Sequence, residues 1–195
     1  MSHTSNLQLV VLISVTLGTT GTALGQDTAA PNQTLEAIER QLETSRHESL
    51  LTRIAERDAE LSEFSTDGCS GGLSIGWAQL SDRFPAFAAR FDDEPSWEAC
   101  CVAHDRDYHV GGAEGVSASD SFDQRRDADR TLASCVFDTG VQQSPALQQL
   151  YGLSETQIRI LYEAIAELMY RAVRLGGIPC TSQSWRWGYG WPMCR

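Results

Sequence analysis

The sequence contains no lysine, and all 15 of its basic residues are arginine. The 26 acidic residues outnumber them, so the chain carries a formal net charge of −11. That charge repels polyanions and argues against nucleic acid as a partner. It also repels anionic membrane surfaces unless a divalent cation bridges the two, although acidity serves solubility equally well.

No Cys-x-x-Cys or Cys-x-x-Cys-His pattern occurs, which leaves zinc ribbons, thioredoxin-like redox sites and c-type haem without support. The cysteines instead form an even set, which is typical of a disulfide framework in an exported protein. The six are Cys69, Cys100, Cys101, Cys135, Cys180 and Cys194. They favour an oxidising compartment.

The first 25 residues contain no Asp, Glu, Lys or Arg. An apolar run over residues 7–13 is followed by small residues, and Ala23-Leu24-Gly25 offers a small-x-small cleavage site. This predicts an export signal over residues 1–25 and a secreted or periplasmic protein. The rival interpretation is a membrane anchor, which needs about 20 apolar residues, and this segment is rich in Ser, Thr and Gly.

Hydrophobic periodicity predicts a mainly α-helical protein, because no stretch shows the alternation of a β-strand. A helical N-terminal extension is expected over residues 26–66, followed by the main domain over residues 67–195. Asn32 or Thr34 can cap the first helix. Its predicted packing face consists of Leu35, Ile38, Leu42, Leu51, Ile54, Leu61 and Phe64.

Three further helices are predicted in the main domain. The first begins with Pro95 in its opening turn and stops at Gly111-Gly112. The second covers residues 122–137 and the third residues 155–175, while residues 73–91 accommodate a short helix. The apolar stripe predicted for the third helix consists of Ile158, Leu161, Ile165, Leu168 and Ala172.

Residues 100–108, with sequence CCVAHDRDY, carry the chemistry. On a helix, Cys101, His104, Asp105 and Tyr108 share one stripe. Adjacent cysteines diverge by about 100° on a helix, so they must reach two different partners. A histidine and an aspartate on so rigid a helix suit a hydrolytic site. For the His-Asp pair taken alone, a buried histidine satisfied by a neighbour beside a solvated aspartate is the better explanation.

The pattern CCxxHDxxY resembles the active-site helix of the secreted phospholipases A2. Residues 128–135 are similar to that family's second helix, because Asp129 precedes Cys135 by six residues. Residues 67–72, with sequence DGCSGG, resemble its calcium loop. The resemblance implies a phospholipase A2-like fold with two antiparallel, disulfide-linked helices that carry the active site. The N-terminal extension and a further C-terminal helix would be additions.

The resemblance also implies the site. His104 would be the general base, Asp129 would accept a hydrogen bond from its other ring nitrogen, and Tyr108 would brace Asp129. Packing explains Tyr108 equally well. The expected activity is calcium-dependent hydrolysis of a phospholipid acyl ester at a membrane surface. Calcium would be held by the Asp105 carboxylate and by the backbone carbonyls of Gly68, Ser70 and Gly72.

The disulfide pairing follows from the same resemblance. It implies bridges from Cys69 to Cys101 and from Cys100 to Cys135, and exclusion then leaves Cys180 with Cys194. One bridge of the family is missing, because Asp107 and Ala128 occupy the places of its two cysteines. The segment between Cys69 and Cys100 is also longer than the family's.

Two other functions are compatible with the sequence. One is a catalytically silent phospholipase-like binding protein or toxin module. The presence of His104, Asp105 and Asp129 together argues against it. The other is a different metal site formed by His104, Asp105, Asp107 and His109. Asp107 and His109 fall off the stripe, so we expect both to face solvent.

The C-terminal segment 185–191, with sequence WRWGYGW, has two interpretations. Amphipathic aromatic residues suit a lipid interface. Alternatively, a bridge between Cys180 and Cys194 folds these aromatics back onto the core, as small exported domains often fix their ends. We favour the second interpretation.

Overall fold

The computed structural model describes residues 31–69, 95–113 and 115–194, which fold into four α-helices without a strand. The prediction of a mainly α-helical protein is confirmed. The helices are α1 (Pro31–Ile54), α2 (Glu98–His109), α3 (Ala118–Tyr151) and α4 (Glu155–Gly176). None of these is long and apolar enough to cross a membrane. The predicted export signal and the short helix at 73–91 lie outside the described residues.

α3 is the helix on which α1, α2 and α4 all pack. Its 34 residues span about 50 Å. α2 runs antiparallel to it, because Cys100 is bonded to Cys135 whereas Tyr108 accepts a hydrogen bond from Arg125. The contacts of α1 and α4 run in the same reversed order. The other three helices therefore all run antiparallel to α3.

α3 is longer than its predicted end at Phe137, and it continues through Pro145 to Tyr151. Its last turns bury Leu147 in the same core as α4, and this packing outweighs the loss of one backbone donor at proline. Gly152 then ends the helix in the left-handed conformation, at φ 66°.

α1 corrects the prediction for the N-terminal extension. It ends at Ile54, and it begins at Pro31, so Asn32 and Thr34 lie inside its first turn and do not precede it. The predicted face is wrong in its first half, because the described side chains Leu35, Ile38 and Leu42 are exposed, as are Leu61 and Phe64 beyond the helix. The face that packs inward consists of Glu43, His47, Leu50, Arg53 and Ile54.

α2 and α4 need smaller corrections. α2 begins at Glu98, three residues after Pro95, because residues 95–97 form a turn closed by the Glu98 amide and the Pro95 carbonyl. α4 has its predicted bounds to within one residue, but Leu161, Leu168 and Ala172 are exposed. Its buried face is rotated toward Ile158, Tyr162, Ala166 and Met169.

All three predicted disulfides are confirmed. Cys69 is bonded to Cys101, Cys100 to Cys135, and Cys180 to Cys194. The last bridge closes a tail that returns to the core, where Trp187 is buried against Tyr108. The tail also hydrogen-bonds the end of α2, since Gly188 N donates to Tyr108 O at 2.7 Å. These contacts satisfy backbone groups that a helix end leaves unpaired.

Candidate functional site

α2 presents His104 and Tyr108 to one buried carboxylate of α3. His104 Nε2 lies 2.9 Å from Asp129 Oδ1, and the Tyr108 hydroxyl donates to the same oxygen at 2.7 Å. Asp129 has no exposed surface. An ionised carboxylate only accepts hydrogen bonds, so Nε2 carries the hydrogen and Nδ1 keeps its lone pair. The predicted contact of Tyr108 with Asp129 is present, and His104 can accept a proton at Nδ1.

The two carboxylates near His104 raise its affinity for a proton. Burial lowers the pKa of His104, but the Asp105 and Asp129 carboxylates outweigh burial and raise that pKa above its ordinary value. Nδ1 lies 4.0 Å from Asp105 Oδ1, which is too long for a direct hydrogen bond. The imidazolium formed by proton uptake would therefore lie between two carboxylates.

Asp105, the neighbour of His104 in the sequence, lines a surface cavity of about 230 Å³. Its Oδ2 accepts a hydrogen bond of 2.5 Å from the Thr66 hydroxyl. Burial, followed by the charges of Asp105 and Asp67, raises the pKa of Tyr189 in the same wall to about 12. The cavity is lined by Ser65, Thr66, Asp67, Asp105, Ser184, Trp185 and Tyr189.

The loop that enters this cavity is tied to α2. Cys69 is bonded to Cys101, and its amide donates to both carboxylate oxygens of Glu98 at 3.3 Å. Gly68 has φ 66°, and a Cβ at this position would lie 1.5 Å from Glu98 Oε1, so a larger residue would be strained and would displace the Glu98 carboxylate. Gly68 N donates at 3.0 Å to the Thr66 hydroxyl, which in turn donates to Asp105, whereas the predicted ligands Ser70 and Gly72 lie outside the described residues.

Several residues of the cavity wall carry oxygen atoms in their side chains, the ligand type that hard cations such as calcium prefer. Calcium takes six to eight oxygen ligands, and the cavity wall offers the carboxylates of Asp105 and Asp67 and the hydroxyls of Ser65 and Thr66. The described residues contain no group of three or more His, Cys, Asp or Glu side chains arranged around a metal ion. Backbone carbonyls would have to complete a calcium site, as the sequence predicts.

The prediction that His109 faces solvent is wrong, whereas Asp107 is exposed as expected. The His109 side chain is 3 % exposed, and its ring packs edge-on against Phe64 and Tyr189. The tail folds over this end of α2, which the position of His109 on the helix could not reveal. The alternative metal site through Asp107 and His109 is therefore not assembled.

Sequence reasoning missed the charged groups behind Asp129. Arg174 Nη1 donates to Asp129 Oδ2 at 3.1 Å, and its Nη2 donates to Glu43 Oε2 at 3.0 Å. Arg125 Nη1 donates to the other oxygen of Glu43, and Arg125 Nε donates to the Tyr108 hydroxyl at 3.1 Å. Because Tyr108 binds Asp129, the five side chains form a closed ring, which we call the ionic ring.

Every member of the ionic ring is buried. Its two guanidiniums and two carboxylates sum to zero charge. Burial raises the pKa of Glu43, but the hydrogen bond from His47 and the two arginines outweigh it and hold that pKa below its ordinary value. Arg125 and Asp129 are four residues apart on α3, which is a local signal for a shared face. No such spacing in the sequence links Arg174 with Glu43.

Comparison with known proteins identifies no relative, since no protein family, curated protein or solved structure matches the chain. The candidate site is therefore defined by its own geometry and by the short motifs of residues 67–72, 100–108 and 128–135.

Proposed function

We propose that the protein hydrolyses an acyl ester of a phospholipid in a calcium-dependent reaction, with His104 as the general base. The observation that carries the proposal is the buried hydrogen bond between His104 Nε2 and Asp129, which leaves Nδ1 available beside Asp105. The resemblance of three motifs to the secreted phospholipases A2 supports it. The three disulfides support an exported protein that meets its substrate outside the cytoplasm.

In this proposal, His104 Nδ1 accepts a proton from a water molecule whose oxygen attacks the ester carbonyl carbon. Asp129 fixes the ring through Nε2 and stabilises the imidazolium. When the ester C–O bond breaks, His104 returns the proton to the leaving alkoxide. The products are a free fatty acid and a lysophospholipid, and His104 is again neutral.

Asp105 would hold the calcium ion, together with the carbonyls of Gly68, Ser70 and Gly72. The bound cation would supply Lewis-acid polarisation of the ester carbonyl and attraction for the substrate phosphate. The Thr66 hydroxyl donates a hydrogen bond to Asp105, and the Cys69–Cys101 bridge ties the loop to the helix that carries Asp105. The side chain is only 15 % exposed, so little water competes with a ligand there.

The test compares Asp105→Asn with Asp107→Asn, which makes the same chemical change two residues away on an exposed position of α2. Calorimetric calcium titration and fatty-acid release from phosphatidylcholine vesicles are measured for both. Asp105→Asn should lose calcium affinity and hydrolysis together, because it removes the side-chain ligand, and Asp107→Asn should retain both. Loss of calcium binding in Asp107→Asn alone would contradict the assignment, as would full hydrolysis by Asp105→Asn.

A further inference from the structure

The ionic ring gives Asp129 more partners than its contact with His104 requires. One carboxylate oxygen accepts from His104 and Tyr108, and the other accepts from Arg174. Arg174 is in turn fixed by Glu43 of α1. The orientation of Asp129 is thus determined from both of its oxygens, and one of these restraints originates in the N-terminal extension.

Glu43 is itself held on several sides. Its Oε1 accepts from Arg125 Nη1 and lies 3.0 Å from His47 Nε2. Burial lowers the pKa of His47 and favours the neutral ring, so Nε2 donates to Glu43 and Nδ1 accepts from the Ser121 hydroxyl. Trp187 Nε1 donates to the same hydroxyl oxygen at 3.0 Å. The tail, α1 and α3 therefore all hold Glu43 in place.

Stability alone is a poor explanation for such a cluster. Buried ion pairs are often no better than apolar residues of similar volume, because desolvation offsets most of the attraction. Such pairs do fix geometry, since each guanidinium has donors in a rigid planar arrangement. Arg125 Nη2 uses this arrangement to bind the carbonyls of Val173 and Arg174 at 2.8 Å, which locks the end of α4 against α3.

We propose that Arg174 and Glu43 are positioning residues for His104, which act through Asp129 and make α1 part of the catalytic unit. The expected effect on hydrolysis rests on the proposed function. The expected effect on the orientation and tautomer of the His104 ring does not. Neither residue contacts the cavity beside Asp105. Their loss should therefore lower kcat and leave KM nearly unchanged.

The experiment uses charge balance. Arg174→Gln leaves the ionic ring with one excess negative charge, and Glu43→Gln leaves one excess positive charge. The double variant Glu43→Gln/Arg174→Gln returns the sum to zero. The matched control is Arg171→Gln with Glu167→Gln, because this exposed pair lies on the same helix and has the same salt-bridge chemistry.

We expect each variant of the ionic ring to lose about 10- to 100-fold in kcat, by analogy with the loss seen when a group that orients a metal ligand is removed. The double variant should lose less than the product of the two single losses, because the sites are coupled. Arg174→Lys should recover part of the loss by keeping the charge. The control pair should change nothing. The proposal would be overturned if kcat were unchanged in Arg174→Gln, or if the loss in the double variant equalled the product of the two single losses. It would also be overturned if the control variants lost as much kcat as the ring variants.

Nitrogen-15 shifts of the His104 ring in the same variants separate this proposal from the proposed function. The wild-type ring should carry its hydrogen on Nε2, and Arg174→Gln should show a mixture of tautomers. Melting temperatures identify any variant that merely fails to fold, and Arg174→Lys then supplies the comparison. Inactive wild-type protein would refute the proposed function, while an unchanged ring in a folded Arg174→Gln would refute the positioning role.

Discussion

The two halves of α3 pack by opposite chemistry. Its N-terminal half buries Ser121, Arg125 and Asp129 against polar and charged partners on α1, α2 and the end of α4. Its C-terminal half buries Leu132 and Val136 in an apolar core. That core includes Leu147 of α3 and Ile158, Tyr162, Ala166 and Met169 of α4. One helix thus carries a charged interior and an ordinary apolar interior end to end.

The difference indicates a division of roles. Apolar burial stabilises a fold with little demand on direction, at about 25 cal/mol per Å² of buried apolar surface. The charged half gains less, since its groups are desolvated, but each hydrogen bond there fixes an orientation. We interpret the apolar half as the main source of stability and the charged half as the support for His104.

The largest effect should come from His104→Gln. Glutamine can hydrogen-bond to Asp129 but cannot accept and return a proton near neutral pH, so hydrolysis should fall by about 10²- to 10⁴-fold. The fold and calcium binding should remain nearly intact. Fatty-acid release and a calcium titration check both statements. Substantial turnover by this variant would mean that another group is the base.

Ile158→Ala makes the complementary change in the apolar half. Ile158 is 1 % exposed, so truncation should cost about 2–5 kcal/mol of unfolding free energy through lost burial and a cavity. Turnover per folded molecule should match the wild type. Urea unfolding and the hydrolysis assay provide the two values. A loss of kcat without a loss of stability would erase the distinction between the two halves.

The smallest effect concerns the acid–base behaviour of His104 without calcium. Its pKa should lie above the ordinary value of about 6.5, because Asp105 and Asp129 favour the imidazolium despite burial. The folded state then binds this proton more tightly than the unfolded chain does. The resulting stabilisation is complete below the unfolded-state pKa and is lost as pH rises through the folded-state pKa.

An NMR titration of the His104 ring in excess chelator checks this prediction. Asp105→Asn should lower the pKa of His104, since it removes one of the two carboxylates that raise it. Hydrolysis should also decline on the acid side, where His104 is already protonated and cannot act as a base. A wild-type pKa below the ordinary value would show that burial dominates.

The sequence was informative where function depends on local spacing. The spacing of the cysteines, His104 and Tyr108 predicted which side of α2 meets α3. The six-residue distance from Asp129 to Cys135 predicted that these two residues of α3 meet His104 and a cysteine of α2. The family resemblance anticipated two of the three bridges, and exclusion supplied the third. These features need only helical periodicity and two rigid elements held in register.

The ionic ring could not be predicted in the same way. Arg174 is 45 residues from Asp129 and 131 residues from Glu43, so no local pattern links them. The apolar residues Leu35 and Leu42 suggested the wrong face for α1, because its inward face follows the charges on α3 and α4. His109 is buried by the tail, whose path depends on tertiary contacts rather than on the helix that carries it.

The most direct test of the account is the initial rate of fatty-acid release from phosphatidylcholine vesicles by the wild-type protein. The rate is measured in millimolar calcium, after excess chelator is added, and after calcium is restored. Calcium-dependent hydrolysis at His104 predicts release in the first condition, none in the second, and full recovery in the third. Release that continues unchanged in chelator, or no release in any condition, would contradict the account.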